Sequence, residues 1–285
     1  MSVGPRPLEF LAAVPRPGAR WGLLGAPLDA TVSYRPGSRF GPAAIRAASW
    51  VLEEWSPAAG ADMAAAGLCD LGDLDLAPGD VAGGLAAIGA AVEDATASGL
   101  RPFVLGGEHL VSLPAVSALA ARYAGLRVLQ LDAHADLRDD YLGVRRSHAT
   151  VMRRITEVVG PDRVYQVGIR SATAEEWRFA QAGTHLAADG LRVPPAWREA
   201  LRAGPVYVTV DIDCVDPAFA PGTGTPEPGG PTARELLDAL DGLRGLPLVG
   251  ADVVEVAPAY DPGGITAVLA AKVVRQILLG AAHWG

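Results

Sequence analysis

Short apolar runs alternate with alanine-rich stretches of helical length along the chain, and that alternation restricts the fold more than any other feature. The strand-like runs cover residues 21–24, 102–105, 127–131, 163–167, 206–210 and 246–254. The helical stretches cover 42–54, 80–98, 110–124, 174–182, 232–243 and 266–279. Several runs are apolar at nearly every position, which suits strands buried on both faces of a parallel sheet. Strand and helix in alternation predict an α/β architecture with helices on both faces. Polar residues gather directly after the strands: Gly106-Gly107-Glu108-His109, Asp132-Ala133-His134-Ala135-Asp136, Gly168-Ile169-Arg170, Asp211-Ile212-Asp213 and Glu255. Ligands of open parallel sheets lie beyond the carboxyl ends of the strands, so all five groups are expected to face one crevice.

In an extended chain the side chains at i, i+2 and i+4 share a face, so Asp132, His134 and Asp136 project together, as do Asp211 and Asp213. Carboxylates crowded in this way repel one another unless a proton or a cation intervenes. The two clusters therefore read as a metal site. Taken singly, each signal is weaker. The Asp132 set also suits a solvated edge strand, Asp216-Pro217 gives the second cluster a turn reading, His109 after two glycines suits a turn or a helix cap, and His148 in Ser147-His148-Ala149-Thr150 is unremarkable. Together they weigh more, because three of the five histidines lie in or beside these segments. His185 and His283 have no acidic partner close in sequence and read as structural or surface residues.

With 285 residues, half of them apolar, and Pro and Gly spread evenly without linker or repeat, one domain over 1–285 is expected. A net charge of −8 with a single lysine, Lys272, argues against nucleic acid and suits a cationic partner. Cys69 and Cys214 are far apart and form no CxxC pair, so neither a disulfide framework nor a zinc ribbon is implied. Residues 1–9 lack a signal-peptide pattern, and no 18-residue apolar span avoids Gly, Pro and charge. A cytoplasmic protein without membrane contact is expected.

The motifs, in this order, resemble those of the ureohydrolase family of arginases, agmatinases and guanidinobutyrases. The matching residues are Gly106 to His109, Asp132 to Asp136, Ser147 to Thr150, Asp211-Ile212-Asp213-Cys214-Val215-Asp216-Pro217, and Glu255 in Val254-Glu255-Val256-Ala257-Pro258. Pro36-Gly37-Ser38-Arg39-Phe40-Gly41-Pro42 and the run from Ala220 to Gly230 agree as well, so the likeness extends from about residue 22 to residue 279. It implies an arginase-like three-layer α/β/α fold around a mainly parallel sheet that holds two Mn²⁺ ions. On this resemblance His109, Asp132, Asp136 and Asp211 hold one ion and Asp132, His134, Asp211 and Asp213 the other, with Asp132 and Asp211 bridging. Two imidazoles and four carboxylates independently favour Mn²⁺ over structural zinc, with zinc and nickel left open.

A guanidino carbon is deactivated by delocalised charge, and a pair of cations makes water a competent nucleophile by lowering its pKa from about 15.7 by several units. The departing amine needs a proton, and the resemblance assigns that role to Asp136 and a second proton carrier to His148. Glu255 suits a paired, charge-assisted grip on the guanidinium. The segment Leu137-Arg138-Asp139-Asp140-Tyr141-Leu142-Gly143-Val144-Arg145-Arg146 lacks the Asn and Ser with which arginases read an amino-acid head. Asp139, Asp140 and Tyr141 are closer to the agmatinase pattern, and acidic groups at a pocket mouth favour an amine tail. Agmatine, giving putrescine and urea, is therefore the expected substrate. N1-aminopropylagmatine, guanidinobutyrate and arginine remain alternatives, and Arg138, Arg145 or Arg146 could serve a substrate carboxylate.

Glu108 and Leu110 stand where many family members have Asp and Ser, and Ala149 replaces a glycine, a change that could narrow the mouth. Cys214 is expected to be a small buried residue rather than an oxidant sensor. Two further readings are a metal-holding regulatory protein and a one-zinc amide hydrolase, but every ligand and proton carrier is present, which favours the enzyme. The resemblance alone implies a homo-oligomer, a trimer or hexamer.

Overall fold

The computed structural model describes residues 8–188 and 190–281, so His283 lies outside the described residues. Strand β1 (Trp21–Ala26) is followed by α1 (Gly41–Ser49), a short hairpin of β2 (Trp55–Ser56) and β3 (Ala61–Asp62), then β4 (Leu68–Asp73) and α2 (Val81–Ala97). Next come β5 (Arg101–Gly106), α3 (Ser112–Arg122), β6 (Arg127–Leu131), α4 (Val151–Val159), β7 (Val164–Val167), α5 (Ala174–Gly183) and β8 (His185–Ala187). The chain closes with α6 (Pro195–Arg202), β9 (Val206–Asp211), α7 (Ala233–Asp241), β10 (Leu248–Val254) and α8 (Ile265–Ala281).

Eight strands form one sheet in the order β4-β1-β5-β10-β9-β6-β7-β8, and every neighbouring pair is parallel. Strand β9 is buried at all six positions: Val206, Val208 and Val210 make one apolar face, while Tyr207, Thr209 and Asp211 share the other and carry polar groups toward the site. Ile45 of α1, Leu201 of α6, Leu236 of α7 and Val273 of α8 close one apolar layer. Ile88 of α2, Val116 of α3, Ile155 of α4 and Ala180 of α5 belong to the other. The result is the three-layer α/β/α arrangement.

All six expected strands and all six expected helices are present, with shifted ends. The helix expected to reach residue 54 stops at Ser49, and the one expected from residue 110 begins at Ser112, after a 3-10 turn over His109–Val111. Strands β4 and β8, the β2–β3 hairpin and helices α4 and α6 were not expected. Two lie at the sheet edges, where Leu-Cys-Asp-Leu-Gly-Asp and His-Leu-Ala carry no continuous apolar run. Helix α4 buries Met152 and Ile155 along one stripe while two of its nine residues are arginine, so its signal is periodic and not alanine-rich.

The connections decide where the site sits. After β5 the chain crosses to β6, leaving between them the places that β9 and β10 fill later. The carboxyl ends of β5, β10, β9 and β6 thus stand side by side at a switch in chain direction, the position where crevices open in such sheets.

Gly107 lets those ends approach. A Cβ there would lie 1.9 Å from the carbonyl oxygen of Leu28, while the Gly107 carbonyl accepts from the Glu255 amide at 2.8 Å and the Glu108 amide donates to Leu28 at 2.7 Å. Gly107→Ala is expected to destabilise the fold by about 2–3 kcal/mol through this backbone clash and to reduce metal retention by displacing His109. Chemical denaturation together with metal analysis checks both.

Candidate metal centre

His109 follows β5, Asp132, His134 and Asp136 follow β6, Asp211 ends β9 with Asp213 in the next turn, and Glu255 follows β10. Two groups emerge in which ligand atoms lie within 4.8 Å of one another: His109, Asp132 and Asp211, and Asp132, His134 and Asp213. Asp132 is common to both. The Nδ1 of His109 lies 3.0 Å from Asp132, 3.2 Å from Asp136 and 3.4 Å from Asp211. His134 Nδ1 lies 3.0 Å from Asp213 and 3.7 Å from Asp132. The structure therefore brings the six expected ligands together, with Asp211 on the His109 side.

The donor set fits divalent cations. His109 is completely buried, its Nε2 lies 2.9 Å from the Thr209 hydroxyl, and its Nδ1 faces three carboxylates without making a hydrogen bond. If Nε2–H donates to Thr209, a lone pair on Nδ1 points at negative oxygens, an arrangement that a cation stabilises. Electrostatics agree. Burial and the neighbouring Asp132 push the Asp136 carboxyl up to about 7, and burial with Asp213 and Asp132 raises Asp211 far above the carboxylate range. Burial also lifts Asp213, although His134 opposes it. Asp132 moves the other way, because the attraction of the adjacent His109 and His134 outweighs its burial. For both histidines burial lowers the pKa, and the surrounding carboxylates more than reverse that. Without a cation, protons must occupy this cluster.

A row of buried polar residues supports the cluster from within the sheet, two residues before Asp211 in β9 and two before Asp132 in β6. Asp252, Thr209, Gln130 and Gln166 are register partners across β10, β9, β6 and β7, and all four are fully buried. Gln130 donates to Asp132 at 2.7 Å, and Gln166 donates to Gln130 at 2.6 Å. Asp252 accepts from Ser112 at 2.6 Å and from the Tyr207 hydroxyl at 2.7 Å, and the Ser112 hydroxyl lies 3.4 Å from that of Thr209. Sequence reasoning missed this row, because one polar residue within an apolar strand carries no local signal.

Asp136 and Glu255 have φ angles of 52° and 64°. Such left-handed backbone costs a non-glycine residue about 1–3 kcal/mol and is tolerated where the surroundings enforce it. Glu255 accepts from the His109 amide at 2.7 Å. Burial and the neighbouring Glu108 raise its pKa well above the carboxylate range.

A cavity of about 230 Å³ opens over the cluster, and His134, Asp136, Asp211, Asp213, His148, Ala149, Tyr141 and Glu255 line it. Arg138, one of the three arginines considered for a substrate carboxylate, lines it too, as does Glu176, which sequence reasoning missed. Asp139 and Asp140 do not. Asp139 is exposed and tied to Arg154 and Arg145, and Asp140 accepts from the Gly143 amide at 2.8 Å to close its own turn. Arg170 braces the rim by donating to the carbonyls of Asp213, Cys214 and Glu227. Cys214 is fully buried, and both cysteines are free. His185 stacks on Tyr165 at 4.2 Å and serves packing.

A parallel α/β sheet with carboxylates and imidazoles converging at its switch point defines a metal-dependent hydrolase class. The comparisons carry this further. The arginase family model matches residues 19–280. An agmatinase from Bacillus anthracis is 46% identical over 262 residues, which make up 90% of each chain. A guanidinobutyrase from Pseudomonas aeruginosa is 35% identical across 90% of this chain and 84% of its own. The crystal structure of agmatine ureohydrolase of Thermoplasma volcanium superposes with a TM-score of 0.86 at 32% identity, covering 98% of this chain and 95% of that one. The chain belongs to the arginase family, and it is a hydrolase of guanidino groups.

Asp252 is expected to act on His109 through the hydroxyls of Ser112 and Thr209. Asp252→Asn should weaken divalent-metal binding about 10- to 100-fold while the far-ultraviolet circular dichroism stays native. Calorimetric titration of metal into metal-free protein reads the change directly.

Proposed function

We propose that this chain hydrolyses agmatine to putrescine and urea with two Mn²⁺ ions held by His109, Asp132, Asp136, Asp211, His134 and Asp213. The observation that carries the substrate is the 46% identity to an agmatinase across a span that includes every lining residue of the cavity. Cavity chemistry supports the same reading. Its charged lining is predominantly acidic, and Glu176 and Glu255 supply the carboxylates beyond the ligand cluster. This replaces the acidic-loop argument, since Asp139 and Asp140 point to other partners. Arg138 is the cavity's arginine, and its Nε lies 3.8 Å from Glu176, an arrangement that offsets its charge toward a substrate carboxylate.

Bound divalent cations supply a water acidic enough to serve as nucleophile near neutral pH. Each remaining role belongs to a side chain. Glu255 keeps one oxygen on the His109 amide and offers the other to the guanidinium. A cationic substrate offsets the burial and the Glu108 repulsion that disfavour its charge. Asp136 lines the cavity beside His109 and is the group from which the departing amine takes its proton. His148 is pushed down to about 4, chiefly by burial, so it is neutral at cellular pH and accepts a proton without repelling a cationic substrate. Tyr141 packs edge-on against His148 with ring centroids 5.6 Å apart. Its place is beside the proton carrier as well as at the mouth.

We place this activity in the cytoplasm and in a homo-oligomer, a trimer or hexamer. Among the described residues no helix is long and apolar enough to cross a membrane. The cationic, small-molecule substrate accords with the chain's acidic balance.

Urea release by the Mn²⁺-loaded protein is to be compared for agmatine, N1-aminopropylagmatine, guanidinobutyrate and arginine at equal concentration. Agmatine should give the highest kcat/KM. A preference for guanidinobutyrate would move the substrate to the carboxylate class and give Arg138 the recognition role. No urea from any guanidine by the metal-loaded protein would remove the agmatine reading.

A further inference from the structure

Glu108 stands next to a metal ligand in sequence, yet its side chain turns away from the cluster. It is fully buried, and its two oxygens clamp one residue of the β1–α1 loop: Oε2 accepts from the Thr31 amide at 2.7 Å and Oε1 contacts the Thr31 hydroxyl at 2.9 Å. That hydroxyl in turn faces His148. Thr31 Oγ1 accepts from the His148 amide at 3.0 Å and lies 3.3 Å from His148 Nδ1. On the other side of the ring, His148 Nε2 lies 3.3 Å from the hydroxyl of Ser33, an exposed residue that also lines the cavity.

A hydroxyl has one proton and two lone pairs. With Glu108 ionised, its carboxylate takes the Thr31 proton and the His148 amide occupies one lone pair, so the remaining lone pair accepts only a donor. That donor is Nδ1–H. Nε2 then carries its lone pair toward the cavity and Ser33, and the bonding of one ring nitrogen decides what the other offers.

We propose that Glu108 and Thr31 are positioning residues for His148: together they anchor its Nδ1–H and present Nε2 as the proton-accepting atom between the cavity and exposed Ser33. The proton that Nε2 accepts comes from the reacting groups in the cavity and leaves through Ser33 to solvent, with no bond other than N–H and O–H made or broken. This assignment rests on the proposed hydrolase reading for its catalytic meaning, while the hydrogen-bond arrangement stands independently of it. Neither Thr31 nor Ser33 gave any sign in the sequence, because both lie in a loop more than 100 residues from His148.

Two measurements test it. Neutron diffraction from the deuterated, manganese-loaded protein at mildly alkaline pD should place deuterium on His148 Nδ1 and on Thr31 Oγ1 toward Glu108, with Nε2 bare. Deuterium on Nε2, or on both ring nitrogens, overturns the assignment. In kinetics, Thr31→Val should lower kcat on the order of tenfold or more, short of the roughly 10²–10⁴-fold expected for complete loss of proton transfer. KM should change less than about twofold and manganese content should be unchanged, so that the effect separates from substrate binding. Thr31→Ser should restore kcat, and Thr31→Val should add nothing to the defect of His148→Asn. The same fold loss in both backgrounds overturns the relay. Absence of urea from the wild-type protein with deuterium on Nδ1 would keep the arrangement and remove the hydrolase reading, and urea release with deuterium on Nε2 would do the reverse.

Discussion

Everything about the active end of this molecule follows from the crowding of Asp132, Asp136, Asp211 and Asp213 around two imidazoles in a place that water barely reaches. Four carboxylates cannot all ionise there unaided, and their pKa values divide accordingly: Asp132 is held low by both histidines, while burial drives the other three up. A divalent pair resolves that conflict, whereas protons resolve it only by neutralising the donors. Any metal taken up here must therefore displace protons.

Holding such a cluster in place requires the layer beneath it. The Asp252–Thr209–Gln130–Gln166 row runs across four adjacent strands, and its side chains reach upward to His109 and Asp132 or sideways to one another. Buried polar residues of this kind raise stability only when their bonds are made, so the row binds sheet register and ligand orientation into one requirement. A slip of one residue in β9 would take Thr209 from His109 and turn Asp211 from the crevice. Gly107 meets the same demand at the loops, where the segment after β5 touches those after β1 and β10.

The mouth of the cavity is arranged by long-range contacts of a different sort. Asp139 is drawn to Arg154 on α4 and Asp140 to its own turn, leaving Arg138, Tyr141 and Glu176 around the opening. Tyr141, Arg138 and His148 lie close enough that the ring of Tyr141 meets both the guanidinium of Arg138 at 5.1 Å and the imidazole at 5.6 Å. One tyrosine thus ties together the arginine and the histidine of the mouth.

The sequence by itself determined the alternation of strands and helices, the parallel sheet, and the identity of the cluster residues, because continuous apolar runs mark strands buried on two faces and acidic and histidine residues gather just after them; the extended, period-two geometry expected of the clusters did not hold, since Asp136 is left-handed beyond the end of β6 and Asp213 sits in a 3-10 turn. The edge strands β4 and β8 and the arginine-bearing helix α4 escaped it, since partial exposure lets polar residues interrupt their patterns. Only the tertiary structure decided that Asp139 leaves the cavity, that Asp252 lies beneath His109, and that Glu108 reaches Thr31 and through it His148. Those contacts join segments 15 to 140 residues apart. Their partners are chosen by where the sheet sets its strand ends, a choice that no local spacing records.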